Sequence, residues 1–143
     1  MMSPRIQSRQ EPAQVPFLTT RKLLLVEEDP RDLRYYAAVL QQQGFEVKTC
    51  VSYAEGLGRV GRESFDFIIV SQGSRAFEGR MLLERILTID RHTPVLVLTR
   101  CVDMGCYLEA MQMGAVDYLE KPLAPSDLAR VIETHLRPQN VAA

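Results

Sequence analysis

Short apolar runs and helical patterns alternate five times along the chain from Lys22 onward. The first run, Leu23 to Val26, is continuously apolar, as a strand covered on both faces must be. Asp29 can then cap a helix with Pro30 at its first position, and Leu33, Tyr36, Ala37 and Leu40 recur on one face until Gly44 stops it. Phe45 to Val51 predicts a second strand, and Ser52-Tyr53-Ala54-Glu55 is a capping box that opens a second helix, weakened by Gly56, Gly58 and Gly61. The third strand, Phe67 to Val70, leads to a helix bearing Leu82, Leu83, Ile86 and Leu87. The fourth, Val95 to Leu98, leads to one bearing Leu108 and Met111 and ended by Gly114. The fifth, Val116 to Leu119, precedes Pro125 and a last helix with Leu128, Val131, Ile132 and Leu136 inside.

Strands and helices in strict alternation predict an α/β protein built from right-handed βα units around a parallel sheet. The expected architecture is a doubly wound, flavodoxin-like (βα)5 sandwich of strand order 2-1-3-4-5, in which the ends of strands 1 and 3 meet at the switch point where ligands bind. Glu27, Glu28, Ser71 and Thr99 all fall at strand ends. No glycine-rich dinucleotide or P-loop fingerprint follows any strand, so a nucleotide site has little support.

The length of 143 residues suits one domain that needs no disulfide or structural metal. A net charge of -1 gives no general attraction to nucleic acid or membrane, and the absence of a long apolar segment or signal-like N-terminus leads to the expectation of a cytoplasmic protein. Cys50, Cys101 and Cys106 lack metal-ligand spacing and read as reduced, mostly buried thiols. His92 and His135, near helix ends, read as surface or capping residues. Residues 1–20, with Pro4, Pro12 and Pro16 among Gln, Ser and Arg, read as a flexible arm, 21–137 as the folded domain and 138–143 as a tail.

Four stretches together resemble a bacterial response-regulator receiver domain (CheY-like) from about Lys22 to Leu136. They are Leu23-Leu24-Leu25-Val26-Glu27-Glu28-Asp29-Pro30, Asp66-Phe67-Ile68-Ile69-Val70-Ser71, Pro94-Val95-Leu96-Val97-Leu98-Thr99 and Asp117-Tyr118-Leu119-Glu120-Lys121-Pro122. The resemblance implies that Glu27-Glu28 stand where an acidic pair helps hold Mg²⁺. It makes Thr99 the hydroxyl after the fourth strand, Tyr118 the switching aromatic and Lys121 the lysine before proline. Gly79, eight positions after Ser71, matches the family's glycine before the third helix. Three positions depart: Ser71 replaces the acceptor aspartate, Arg75 a proline, and Arg100 a small residue.

A serine hydroxyl cannot form the acyl phosphate on which such switches run; a serine ester needs a kinase and is far more inert. Loss of the central carboxylate removes a ligand and a charge, so Mg²⁺ binding is expected to be weak or absent, with Glu28 the weak candidate ligand and no cofactor otherwise. Asp66 cannot substitute, lying five residues up the strand and roughly 16 Å away at about 3.3 Å per residue. Two readings of Glu27, Glu28, Thr99 and Lys121 stay open: inherited scaffold at a polar strand edge, or a pocket in which Lys121 with Arg100 or Arg75 replaces the metal and neutralises the acidic pair.

The function expected is a phosphorylation-independent pseudo-receiver of two-component-type signalling, not an enzyme. It would act on a protein partner: a histidine kinase, another regulator, an output protein or a second copy. The contact face implied by the resemblance is the fourth helix, fifth strand and fifth helix, around Arg100, Met104, Tyr107, Met111 and Tyr118. Alternatives are a kinase-controlled phosphoacceptor at Ser71 and the regulatory domain of a longer transcription regulator.

Overall fold

The structure is a computed structural model and describes residues 20–136, so the expected arm and tail lie outside the described residues, apart from Thr20. Five strands, β1 (Lys22–Val26), β2 (Glu46–Cys50), β3 (Phe67–Ser71), β4 (Val95–Thr99) and β5 (Asp117–Glu120), alternate with helices α1 (Pro30–Gln42), α2 (Tyr53–Val60), α3 (Arg80–Ile89), α4 (Met104–Met113) and α5 (Pro125–His135). The strands form one parallel sheet of order β2-β1-β3-β4-β5, the expected doubly wound fold.

Alternation along the strands divides the core into two layers, because successive side chains point to opposite faces. Leu24, Val26, Ile68, Val70, Val95 and Val97 face α2, α3 and α4, while Leu23, Leu25, Phe67, Ile69, Leu96 and Leu98 face α1 and α5. The caps match the sequence: Asp29 Oδ1 accepts from the Arg31 and Asp32 amides at 2.8 and 3.3 Å. Ser52 Oγ accepts from the Glu55 amide at 3.1 Å, while Glu55 reaches back to Val51 N at 2.9 Å. Gly44, at φ +96, lets the chain leave α1 in the left-handed region that glycine tolerates.

One helix face differs from expectation. Leu108 is exposed, and α4 buries Cys106 and Ala110, with Met111 and Met113 packed at the edge of the same core. The residues that α4 buries are small, so its inner stripe carries little of the bulk by which a sequence reading finds it. Burial pushes the Cys106 thiol up to about 11, and Cys50, Cys101 and Cys106 are free thiols.

Register fixes the site. Val26 pairs with Val70, Ser71 with Leu98, and Thr99 with Glu120. Glu27, Ser71, Thr99 and Lys121 therefore emerge along one edge of the sheet. Beside it, Gly79 packs so tightly that a Cβ would lie 2.3 Å from the Ser71 carbonyl oxygen and 3.2 Å from the Tyr53 ring. Gly79→Ala is expected to lower stability by on the order of 1–3 kcal/mol through overpacking. A denaturation midpoint equal to that of the unaltered chain would contradict this close approach.

Candidate functional site

Ser71 ends β3, buried, with both of its oxygens engaged by neighbours. Its Oγ accepts from the Gly73 amide at 3.3 Å, and its carbonyl accepts from the Tyr53 hydroxyl at 2.9 Å. Burial pushes the Tyr53 phenol up to about 12, so it stays a donor. Thr99 is buried one strand away, and its Oγ1 accepts from the Cys101 amide at 2.8 Å.

Lys121 reaches across the strand edge, its side chain only 4% exposed, and donates from Nζ to Glu27 Oε1 and Asp32 Oδ2, both at 2.8 Å. The other oxygen of Glu27 accepts from the Asp29 amide at 3.0 Å. Arg100 forms a two-pronged pair with Asp32, at 2.5 Å to Oδ1 and 3.1 Å to Oδ2. Two carboxylates and two cations thus form one network whose donors and acceptors satisfy each other, the condition under which buried charge is tolerated. The Arg100 side chain is 57% exposed, so solvent screens its share and Lys121 carries the buried half.

This network corrects two expectations. Lys121 and Arg100 do serve as counter-charges, but the acids they meet are Glu27 and Asp32; Glu28 is exposed at the rim. Arg75 takes no part: its Nε donates to Cys101 Sγ at 3.3 Å, joining the β3–α3 and β4–α4 loops. The sequence reading missed Asp32 because it sought acids at strand ends. A signal existed: Asp32, Tyr36, Val39 and Leu40 form one buried stripe of α1, and a carboxylate on such a stripe needs a partner.

Gln72, also missed, is fully buried one residue past β3, on the face shared by Val70 and Tyr118. The Tyr118 hydroxyl donates to Gln72 Oε1 and accepts from the Asp103 amide at 3.1 Å. Tyr118 also meets Tyr107 edge to face, with ring centroids 5.5 Å apart. Val102, Met104, Tyr107, Tyr118, Leu119 and Glu120 line an apolar groove between α4 and β5. Met111 is not part of it, being turned onto the core.

Among the described residues, no three His, Cys, Asp or Glu side chains are grouped to hold a metal ion, and no helix is long and apolar enough to cross a membrane. The rim of the pocket holds Glu28, Asp29, Ser74 and Glu78.

The fold and this edge define a doubly wound α/β domain whose polar pocket lies at the switch point between β1 and β3. The chain belongs to the response regulator receiver domain family, whose model matches residues 23–133. It is 33% identical over 81% of its length to the transcriptional activator protein PfeR of Pseudomonas aeruginosa, and 32% identical over 80% to the transcriptional regulatory protein GlrR of Escherichia coli. It spans 38% and 26% of those two proteins. A receiver domain structure from Clostridium thermocellum is similar at 30% identity and TM-score 0.74, covering 80% of this chain and 93% of that one.

Proposed function

We propose that this receiver domain works without an acyl phosphate, as a pseudo-receiver that signals through protein–protein contact in the cytoplasm. One observation carries the reading: the acceptor position holds Ser71, whose hydroxyl is engaged by Gly73, beside acids that Lys121 and Arg100 already neutralise. The donor set does not fit Mg²⁺. Glu27 and Asp32 each give their oxygens to N–H donors, and a neutral hydroxyl stands where the central carboxylate would be. A dedicated kinase acting on Ser71 is disfavoured, since the residue is buried with its backbone in the strand.

The partner surface proposed is the α4–β5–α5 face, where Met104 and Tyr107 are exposed beside Tyr118, with a histidine kinase, another regulator, an output protein or a second copy as the partner. A second reading, favoured by the names and lengths of the relatives, makes this the regulatory part of a longer transcription regulator. The length of the native open reading frame tests this second reading, and the pseudo-receiver reading is tested by incubation with a phosphorylated histidine-kinase domain that is competent towards an aspartate-bearing receiver. No transfer to this chain is expected; a hydroxylamine-labile label would overturn the proposal.

A further inference from the structure

The chain after β3 carries a polar side chain that reaches no solvent and contacts three separate segments. Gln72 Nε2 donates to the carbonyls of Ser74 at 3.1 Å and Cys101 at 3.0 Å, and its Oε1 accepts from Tyr118. Its amide N donates to Leu98 O at 2.8 Å, and its own carbonyl accepts from Gly79 N at 3.1 Å. The amide orientation is settled by this arrangement, because a flipped side chain would set its oxygen against two carbonyls. The Tyr118 hydroxyl in turn accepts from Asp103 N, and Asp103 is the N-cap of α4, its Oδ2 accepting from Cys106 N at 3.0 Å. A continuous run of hydrogen bonds therefore joins the β3–α3 loop, the β4–α4 loop, the β5 aromatic and the first turn of α4.

We infer that Gln72 is a latch that holds Tyr118 inward and fixes the start of α4, so that the residue beside the serine, not chemistry on the serine, sets the state of the α4–β5 surface. Both N–H groups of the buried Gln72 amide are used and its Oε1 accepts from Tyr118, so moving Tyr118 outward would orphan that oxygen even though the Tyr118 hydroxyl also lies 3.4 Å from Asp103 O, which makes the inward arrangement preferred. The inference deepens the phosphorylation-independent reading and rests on it for its meaning: only if position 71 accepts no phosphoryl group does the latch alone determine the surface.

The test uses the whole chain with no phosphodonor. In Gln72→Met, which keeps length and removes the amide, the exchange of the Asp103 and Cys106 amide hydrogens and the Tyr118 ring resonances are followed by NMR. Unchanged protection of the β1 and β3 amides shows that the fold is intact. The latch predicts exchange at Asp103 faster by about tenfold, the change that one lost hydrogen bond of ordinary net strength produces, with Tyr118 ring signals moved or doubled. Protection at Asp103 within about twofold of the unaltered chain would overturn it. Should Gln72→Met not fold, Gln72→Leu, which also removes the amide and leaves the Tyr118 hydroxyl in place, is read by the same two criteria. Phosphoryl transfer to Ser71 alongside a tenfold loss at Asp103 would remove the proposed function and leave the latch; no transfer and no loss would do the opposite.

Discussion

Replacing Lys121 with methionine should lower the unfolding free energy by about 3–5 kcal/mol, the cost of leaving a buried ion pair without one member. Glu27 and Asp32 are both buried and both receive their short bonds from the same Nζ, so neither carboxylate has a second cation within the pocket of comparable burial. Neutralising the acids first should reduce the loss. A cycle of Lys121→Met with Asp32→Asn is expected to show coupling on the order of 1–3 kcal/mol, whereas the cycle with exposed Glu28→Gln should be additive to about 0.5 kcal/mol. Coupling to Glu28 as strong as that to Asp32 would mean that the pocket is arranged differently.

The pH profile follows from the same bonds. Burial pushes the Asp32 carboxyl up, but the bonds from Arg100 and Lys121 outweigh it and hold the group below its ordinary range. Its contribution is present above an unfolded value of about 3.9 and lost as pH falls through the lower folded value. Burial pulls the Lys121 ammonium down, yet the bonds with Asp32 and Glu27 hold it above its ordinary range. That contribution is fully present below about 10.4 and is lost as pH rises through the folded value. Unfolding of Lys121→Met, followed from pH 2 to 12, should lack this alkaline loss and show a shallower acid one.

Ser71→Asp should exchange one kind of stability for another. A new carboxylate beside Glu27 and Asp32 adds a like charge to a pocket whose two cations are already committed, so the variant is expected to melt below the unaltered chain in the absence of divalent ions. It also restores the central oxygen ligand. Mg²⁺ should then stabilise the variant, by about 2.7 kcal/mol at one hundred times its dissociation constant, while leaving the unaltered chain nearly unchanged at millimolar concentration. Equal Mg²⁺ responses in the two proteins would show that the serine does not limit the metal site.

The fold was legible because its signals are local and repeated. Continuous apolar runs such as Leu23 to Val26 admit only a strand covered on both sides, and Asp29-Pro30, Ser52…Glu55 and Gly44 mark helix ends by chemistry that the structure reproduces. Strand-end placement likewise pointed to Glu27, Glu28, Ser71 and Thr99, and the resemblance added Lys121; the register brings all of these but the outward-facing Glu28 together. The partners of those residues were harder to see. Whether Lys121 meets Glu27, Glu28 or Asp32 depends on which way the chain turns between β1 and α1: Glu27 points in and Glu28 out, and α1 returns Asp32 from its first turn. Gln72 was hidden for a related reason, since a glutamine just past a strand reads as loop until the neighbouring carbonyls of Ser74 and Cys101 are placed. In α4 the misleading feature was bulk: Leu108 is larger than Cys106 and Ala110, but the smaller pair faces the sheet.

The most direct measurement of the central claim is the intact mass of the chain after incubation with acetyl phosphate and Mg²⁺, run beside a receiver domain that carries aspartate at the acceptor position. Ser71 offers a hydroxyl held by Gly73 where an acyl phosphate needs a carboxylate. The predicted result is an unchanged mass for this chain under conditions that modify the control. A gain of one phosphoryl group, released by hydroxylamine, would contradict it.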